Sequence, residues 1–446
     1  PTTDNRVFVN VYGSLNGRTE LNTHFNKTFS EKWSTGLYIH ANNRSQKFDR
    51  NNDSFLDMPL SKQINIMSRW QYSNLQKGLI SFLNIRYLND EKQSGQLDFD
   101  PKTDRLSNTV WGSEIDTKRF EVSGKFGYVN PEIPYQSLGL QISYSDHEQS
   151  SYFGLNQYDI RHESLYSNIV YNSIISDSRH KIKTGLNATY DQYNETVNAA
   201  LYERQERSVG GFFEYSFDNL EALNLTAGVR IDHHNLLGTF ITPRVHARYT
   251  PWEKSAFRVS FGRGKRAANI FAENQKLFAT SRAINIQNSG GTIYGLDPEI
   301  AWNYGVSFLQ GFELFNRKAE LTLDFYRTDF QNQVVVDYEN PYEVNFYNLE
   351  GASFASSFQA EFSLNILERL HLKTAYKFYD VQTQYTSGKL KKPLTSQHRV
   401  FANLSFETQK TDTGGVWKFD TTFNWFGKQR FSSTALSPEA YKLPTY

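Results

Sequence analysis

The densest run of metal-ligand atoms in the chain is Asp49-Arg-Asn51-Asn-Asp53-Ser-Phe55-Leu-Asp57. Oxygen-bearing groups alternate along it as in a calcium loop. Asp49, Asn51, Asp53 and Asp57 would supply side-chain oxygens, and Phe55 its backbone carbonyl. Two departures separate it from a regular EF-hand: Ser54 stands where the sharp turn calls for glycine, and Leu60 stands where a bidentate Glu would close the shell. The alternative is an Asp/Asn-rich loop whose carboxylates hold turns. Asp98, Asp100 and Asp104 form a second, weaker acidic group. Ca2+ in an outward-facing loop is the one cofactor these residues suggest.

His233 and His234 are adjacent near a strand end, with His40 and His147 at comparable heights. Imidazoles there could contact a haem or a metal chelate, but neighbours on a strand point to opposite faces, so at most one of the pair looks inward. Phe271, Phe278, Tyr294, Tyr338, Tyr342, Phe346 and Tyr347 fall in long connecting segments. Aromatic rings with a few polar groups build small-ligand sites, and the same rings also pack loops together. The ligand-binding candidates are therefore Phe271, Phe278, Tyr294, Tyr338, Tyr342, Phe346 and His233. Catalysis has no footing. There is no Gly-x-Ser-x-Gly and no His-Glu-x-x-His, and Gly262-Arg-Gly264-Lys265 lacks the leading glycine and spacing of a phosphate loop. Cysteine is absent, which removes thiolate metal sites and disulfides, and a net charge of +1 gives no reason to expect a nucleic-acid partner.

The elements that must position these residues are strands. At 62–72, Ile64, Ile66, Trp70 and Tyr72 alternate with Gln63, Asn65, Arg69 and Gln71. At 223–232 and 320–326 the same period of two separates Leu, Val, Ile and Phe from Asn, Thr, Arg, Asp and Glu. Each stretch has one apolar and one polar face. About 19 such stretches run from 6–14 and 18–29 to 396–408 and 415–427, with a further start near Lys442.

A soluble β protein of 446 residues would divide into sandwiches or blades with Val/Ile/Leu cores. Here only 38% of residues are hydrophobic while 15% are aromatic, and no linker or fixed-period repeat breaks the chain. That balance fits a transmembrane barrel with a wet lumen and aromatic girdles. No apolar run is long enough for a membrane helix, so any crossing is by strands. Connections alternate between short turns, such as 30–31, 75–78 and 219–222, and long segments at 44–61, 91–116, 194–206, 265–299, 334–352 and 383–395. Short turns on one rim and long loops on the other mark an outer-membrane barrel. Trp33, Trp70, Trp252 and Trp417 lie by short turns or strand ends and are candidates for the inner girdle. By alternation, Arg69, Lys125, Arg230, Arg258, Asp324, Lys373 and Arg399 should face the lumen.

Three segments resemble the barrel of a TonB-dependent outer-membrane receptor: Ser260-Phe-Gly-Arg-Gly-Lys-Arg-Ala-Ala-Asn-Ile-Phe-Ala-Glu-Asn274, Gly295-Leu-Asp-Pro-Glu-Ile-Ala-Trp-Asn-Tyr-Gly305, and Tyr347-Asn-Leu-Glu-Gly-Ala-Ser-Phe-Ala-Ser-Ser-Phe-Gln-Ala-Glu361. In the last, Ser356 and Ser357 replace a family glycine and its neighbour. The Asn- and aromatic-rich style is similar to receptors of Bacteroidetes-type bacteria. The resemblance covers residues 1–446 as one barrel domain and implies an all-β, antiparallel transmembrane barrel of about 22 strands, of which this chain supplies about 19–20. It carries no plug domain or energy-coupling box before residue 6, and Phe431–Tyr446 looks like a last long loop and the start of a strand, so closing strands are expected elsewhere. The implied function is active uptake of a scarce nutrient: siderophore-bound iron, haem, cobalamin or an oligosaccharide. The implied partners are outer-membrane lipid, the receptor's own plug, the TonB energy-coupling complex, the nutrient cargo and, in that bacterial group, a surface lipoprotein. The alternatives are a passive porin-like or structural barrel of an outer-membrane assembly, or a protease or lipase barrel.

Overall fold

The computed structural model describes residues 5–412, 414–432 and 442–445. Its strands in chain order are β1 (Val7–Gly13), β2 (Arg18–Thr28), β3 (Trp33–Arg44), β4 (Leu60–Asn74), β5 (Leu79–Gly95), β6 (Gly112–Val129), β7 (Ser137–Phe153), β8 (Asn156–Ile175), β9 (Asp177–Val197) and β10 (Ala200–Asp218). Next come β11 (Leu223–His234), β12 (Gly238–Tyr249), β13 (Ser255–Arg266), β14 (Ala283–Ile286), β15 (Glu299–Leu314), β16 (Arg317–Asn332), β17 (Val334–Asp337) and β18 (Glu343–Asn348). The last are β19 (Ser353–Leu367), β20 (Leu370–Tyr385), β21 (Gly388–Lys391), β22 (His398–Glu407) and β23 (Lys418–Phe426). Twenty of them form one antiparallel sheet in which each strand pairs with its neighbour in sequence, skipping β14, β17 and β18. β21 and β22 pair with successive parts of the same edge of β20, so they share a stave and nineteen staves result. The expected count is met. Among the described residues, β1 pairs only with β2 and β23 only with β22. Lys442–Leu443 pairs with Gln429–Arg430, while 433–441, on which part of the expected last loop falls, lie outside the described residues.

The two faces of the wall divide as alternation requires. Leu83, Ile85 and Tyr87 on β5, Leu165 and Ile169 on β8, Phe213 on β10, and Val229 and Ile231 on β11 all stand exposed on the outside. The intervening residues line the lumen, where Arg86 meets Glu121 at 3.2 Å, Arg230 meets Asp232 at 2.6 Å and Lys373 meets Glu361 at 2.8 Å. Exposed Leu, Ile and Phe over such a breadth would aggregate in water, and lipid is the solvent that accepts them. Trp33, Trp70, Trp252 and Trp417 are exposed at the short-turn rim, with Trp33 packed on Tyr72 at 5.0 Å and Trp70 stacked on Phe29 at 6.0 Å. That is an interfacial girdle.

One expected loop is not a loop. Residues 194–206 continue β9 and β10 into a hairpin that turns at 198–199, and β7 and β8 likewise run on to a turn at 154–155. β8 has 20 residues and β9 has 21, about twice what a bilayer needs. The outward face explains why alternation missed them. Leu186 and Tyr190 on β9 give way to Gln192, Asn194 and Thr196, and on β10 Phe213 and Val209 give way to Arg207, Gln205 and Glu203. Above the lipid both faces of a strand can be polar, so the apolar/polar signal disappears although the strand does not. The Arg207 guanidinium lies 5.8 Å over the Tyr190 ring at that boundary.

Candidate functional site: the capped mouth of the lumen

Two long segments, 267–298 and 333–352, fold back into the long-loop end of the barrel. Their strands make a small sheet in which β18 pairs parallel with β14 and antiparallel with β17. The largest buried apolar cluster among the described residues lies here, between the cap and the inner face of the wall. Ile270, Phe271, Phe278, Leu296, Val344 and Phe346 of the cap pack on the inward-facing Tyr158, Ile160 and Val197 of β8 and β9. Phe278 stacks on Tyr158 at 5.1 Å, and Asn156 Nδ2 donates to the Phe278 and Thr280 carbonyls, each at 2.7 Å.

Beneath the apolar layer is a buried ionic knot. Glu195 has no solvent exposure. It accepts hydrogen bonds from the Tyr158 hydroxyl at 2.9 Å, from Arg204 Nη1 at 2.9 Å, and from the Tyr294 hydroxyl. Arg204 also donates to Glu206 at 2.7 Å, contacts Asn269 and lies 3.7 Å over the Tyr193 ring. His234 Nε2 is 3.3 Å from Glu206. Tyr294 and Asn269 belong to the cap, and the other members belong to the wall. Burial, and next the charge of Glu195, push the Tyr294 hydroxyl far above its ordinary range, so it stays a donor. The knot therefore latches the cap to β9–β11. On the far side, Asp337 accepts from the Tyr347 hydroxyl at 2.7 Å and from Thr386 at 2.9 Å, and Arg430 grips Glu339 at 2.6 and 3.0 Å. Burial pushes Tyr347 up to about 12, so it too remains protonated.

This placement revises the aromatic candidates. Phe271, Phe278 and Phe346 are 2%, 1% and 1% exposed: they are the core of the cap and present no face to a cargo. Tyr294 is spent in the latch. Tyr342 is exposed on the outer rim. His233 shares the outward face of Val229 and Ile231, with Nδ1 2.9 Å from Thr239 Oγ1, whereas His234 is the member that looks inward. His147 and His162 oppose each other across β7 and β8 on the lumen face, and His162 also meets Asp191 at 2.9 Å. Tyr338, by contrast, borders open lumen. It lines a hollow of about 390 Å3 between cap segments 274–277 and 333–338 and the inner faces of β19, β20 and β22, together with Phe330, Tyr379, Tyr385, Lys276, Lys392 and Arg399. Sequence reasoning placed Arg399 in the lumen but missed Tyr379, which follows the inward parity of Lys377, and Lys392, which closes the Lys389–Lys392 run.

The acidic loop folds on its own amides. Asp49 accepts from the Asp53 and Ser54 N–H at 3.1 and 3.0 Å, Asp53 from Phe55 N–H at 2.8 Å and from Asn51 Nδ2 at 2.9 Å, and Asp57 from Arg50 N–H at 3.0 Å. Ser54 takes the left-handed conformation (φ 67°) that a glycine would have in a calcium loop. Oxygens of Asp49, Asp53 and Asp57 thus accept turn hydrogens, with the Phe55 amide a donor to one of them, while Asn51 takes part through its Nδ2 donor. Among the described residues, no three His, Asp or Glu side chains are grouped to hold a metal ion. Asp100 and Asp104 behave alike, accepting the Lys102 and Asp100 amides at 3.0 and 2.9 Å.

Comparison with known proteins agrees with this architecture. The family profile described as "TonB dependent receptor-like, beta-barrel" matches residues 2–446. The ferrienterobactin receptor of Escherichia coli (strain K12) is 20% identical over 252 residues, covering 53% of this chain and 32% of that protein. This chain therefore spans about a third of that relative's length. The ferric enterobactin receptor PfeA of Pseudomonas aeruginosa superimposes with a TM-score of 0.68 at 12% identity, over 99% of this chain and 70% of that one. The siderophore receptor PirA of Acinetobacter baumannii gives 0.66 at 11% identity, over 99% and 72%. These organisms are not of the Bacteroidetes type that the residue style suggested. At such identity the structures speak for the fold, and the profile match over nearly the whole length speaks for descent: the chain belongs to the TonB-dependent receptor-like β-barrels of the Gram-negative outer membrane.

Proposed function

We propose that this barrel is the transport portion of a receptor that takes up a ferric siderophore, with a plug domain and the TonB energy-coupling complex as partners outside this chain. The observation that carries the reading is the cap. A passive pore keeps its mouth open, whereas here segments 267–298 and 333–352 are folded into the lumen and latched on both sides. The ionic lumen wall is the surface a plug would contact, and the likeness to ferric enterobactin and siderophore receptors favours siderophore cargo over haem, cobalamin or sugar. A surface lipoprotein would meet the outer rim, where Leu155, Leu201 and Tyr342 stand exposed. The test is paired. Cells making the full-length receptor should accumulate radio-iron from a ferric siderophore only while the inner membrane is energised. Free ion conduction by the purified receptor in planar bilayers, with no energised uptake, would return the porin reading.

A further inference from the structure

The lipid face of the wall is not uniform. On β4 the outward row Ile64, Ile66, Trp70 and Tyr72 is broken by Ser68, and on β3 Thr35 stands between Trp33 and Leu37. These small side chains among large ones leave a groove of about 840 Å3 on β1–β4, walled by Val7, Phe25, Leu37 and Trp70. Its floor is polar but satisfied locally: the Thr35 hydroxyl donates to the Arg69 carbonyl at 2.9 Å, and the Ser68 hydroxyl accepts the Trp70 indole N–H at 3.1 Å. The register gives the depth of each part. Lys27, Thr35 and Trp70 form a row near the short-turn rim, and Phe25, Leu37 and Ser68 form the next row on the same face, deeper in the bilayer. The cations are at the rim end. Arg6 and Lys27 border the groove, and no carboxylate among the described residues does. The Lys27 ammonium lies 5.1 Å over the Phe29 ring, which stacks on Trp70 at 6.0 Å. Those rings belong to the girdle, so the ammonium stands at the headgroup level of the inner leaflet.

We propose that this groove binds one anionic phospholipid of the inner leaflet, its phosphate on Arg6 and Lys27 and an acyl chain laid along Phe25 and Leu37 over Ser68. Charge decides the headgroup. A zwitterionic phospholipid brings its own ammonium to two cations already in place, whereas an anionic one answers both. The trough decides for a lipid over a soluble phosphate ester, because the cations adjoin an apolar channel that only an acyl chain fills. The site is on the outside of the barrel and is independent of what passes through the lumen.

The experiment titrates the full-length receptor in detergent micelles with phosphatidylglycerol or phosphatidylethanolamine and reads the bound fraction by native mass spectrometry. The native receptor should hold one phosphatidylglycerol at least fivefold more tightly than phosphatidylethanolamine. Arg6→Gln with Lys27→Gln should erase that preference, at about fivefold per cation. Ser68→Leu fills the trough and should weaken both lipids about fivefold or more. Lys318→Gln, an exposed cation elsewhere on the same rim, should leave both affinities within twofold. Heat-modifiable mobility reports that each variant barrel is folded. Equal retention of the two lipids by the native receptor overturns the site, as does an unchanged preference in the folded double variant or unchanged binding in folded Ser68→Leu. A loss in Lys318→Gln equal to that of the double variant would mean general rim charge and also overturns it. Glycerol phosphate binding as tightly as the lipid would make the groove a phosphate site and remove the acyl chain from it.

Discussion

Single residues in the mouth divide into those that hold the cap and those that border open lumen. Phe271 and Glu195 are of the first kind. Phe271→Ala would leave a void among Tyr158, Tyr202, Phe278 and Phe346 and should cost the cap about 3–5 kcal/mol. Glu195→Ala leaves Arg204 buried beside one lost partner, for which about 3–5 kcal/mol is also expected. Limited proteolysis within 267–298 should rise in both variants while the wall stays resistant, and an intact cap that merely loses cargo affinity would contradict the assignment. The Asp49–Asp57 loop gives a second residue-level prediction. Because its carboxylates accept backbone amides, a chelator should leave its digestion pattern unchanged, whereas Asp49→Ala removes two such bonds at about 1 kcal/mol each and should loosen it. A pattern that collapses with chelator would restore a cation there. Ligand-like spacing was legible in the sequence. Whether the oxygens point at a common centre or at nearby N–H groups depends on φ and ψ, which spacing does not specify.

At the scale of elements, each strand presents two solvents with two faces. Gln141 and Ile142 are neighbours on β7, the first lining the lumen and the second exposed to lipid. Ile142→Arg should destabilise the barrel by about 2–4 kcal/mol, and Gln141→Arg by much less. Unfolding in lipid vesicles followed by tryptophan fluorescence measures the difference, and similar costs at both positions would mean that the faces are misassigned. The nineteen staves were legible because lipid on one side and water on the other enforce a period of two. The upper halves of β7–β10 were not, because outward residues such as Gln192, Asn194 and Gln205 meet water there and the contrast that marks a strand is gone.

For the whole molecule, the cap bridges two sides of the mouth, from Asn156 and Arg204 to Thr386 and Arg430. Under the proposed uptake function, one attachment must yield for cargo to pass. The chain has no cysteine, so Asn156→Cys with Thr280→Cys, joined by a thiol cross-linker, should stop uptake, and cleavage of the linker should restore it. Uptake that continues through a linked cap would place the route elsewhere. The sequence by itself determined the all-β barrel, the lumen side of Arg230 and Arg399, and the family, because strand alternation and local motifs are short-range properties that lipid and water impose along the chain. Only the tertiary structure decided which aromatics are core of the cap and which border a hollow. Phe271 and Tyr338 lie in segments of the same polar, aromatic character. One is core because it packs on Tyr158 of β8, and the other borders a hollow that Tyr379 of β20 also lines; both strands are more than forty residues away, and no local pattern encodes where they stand across a closed mouth.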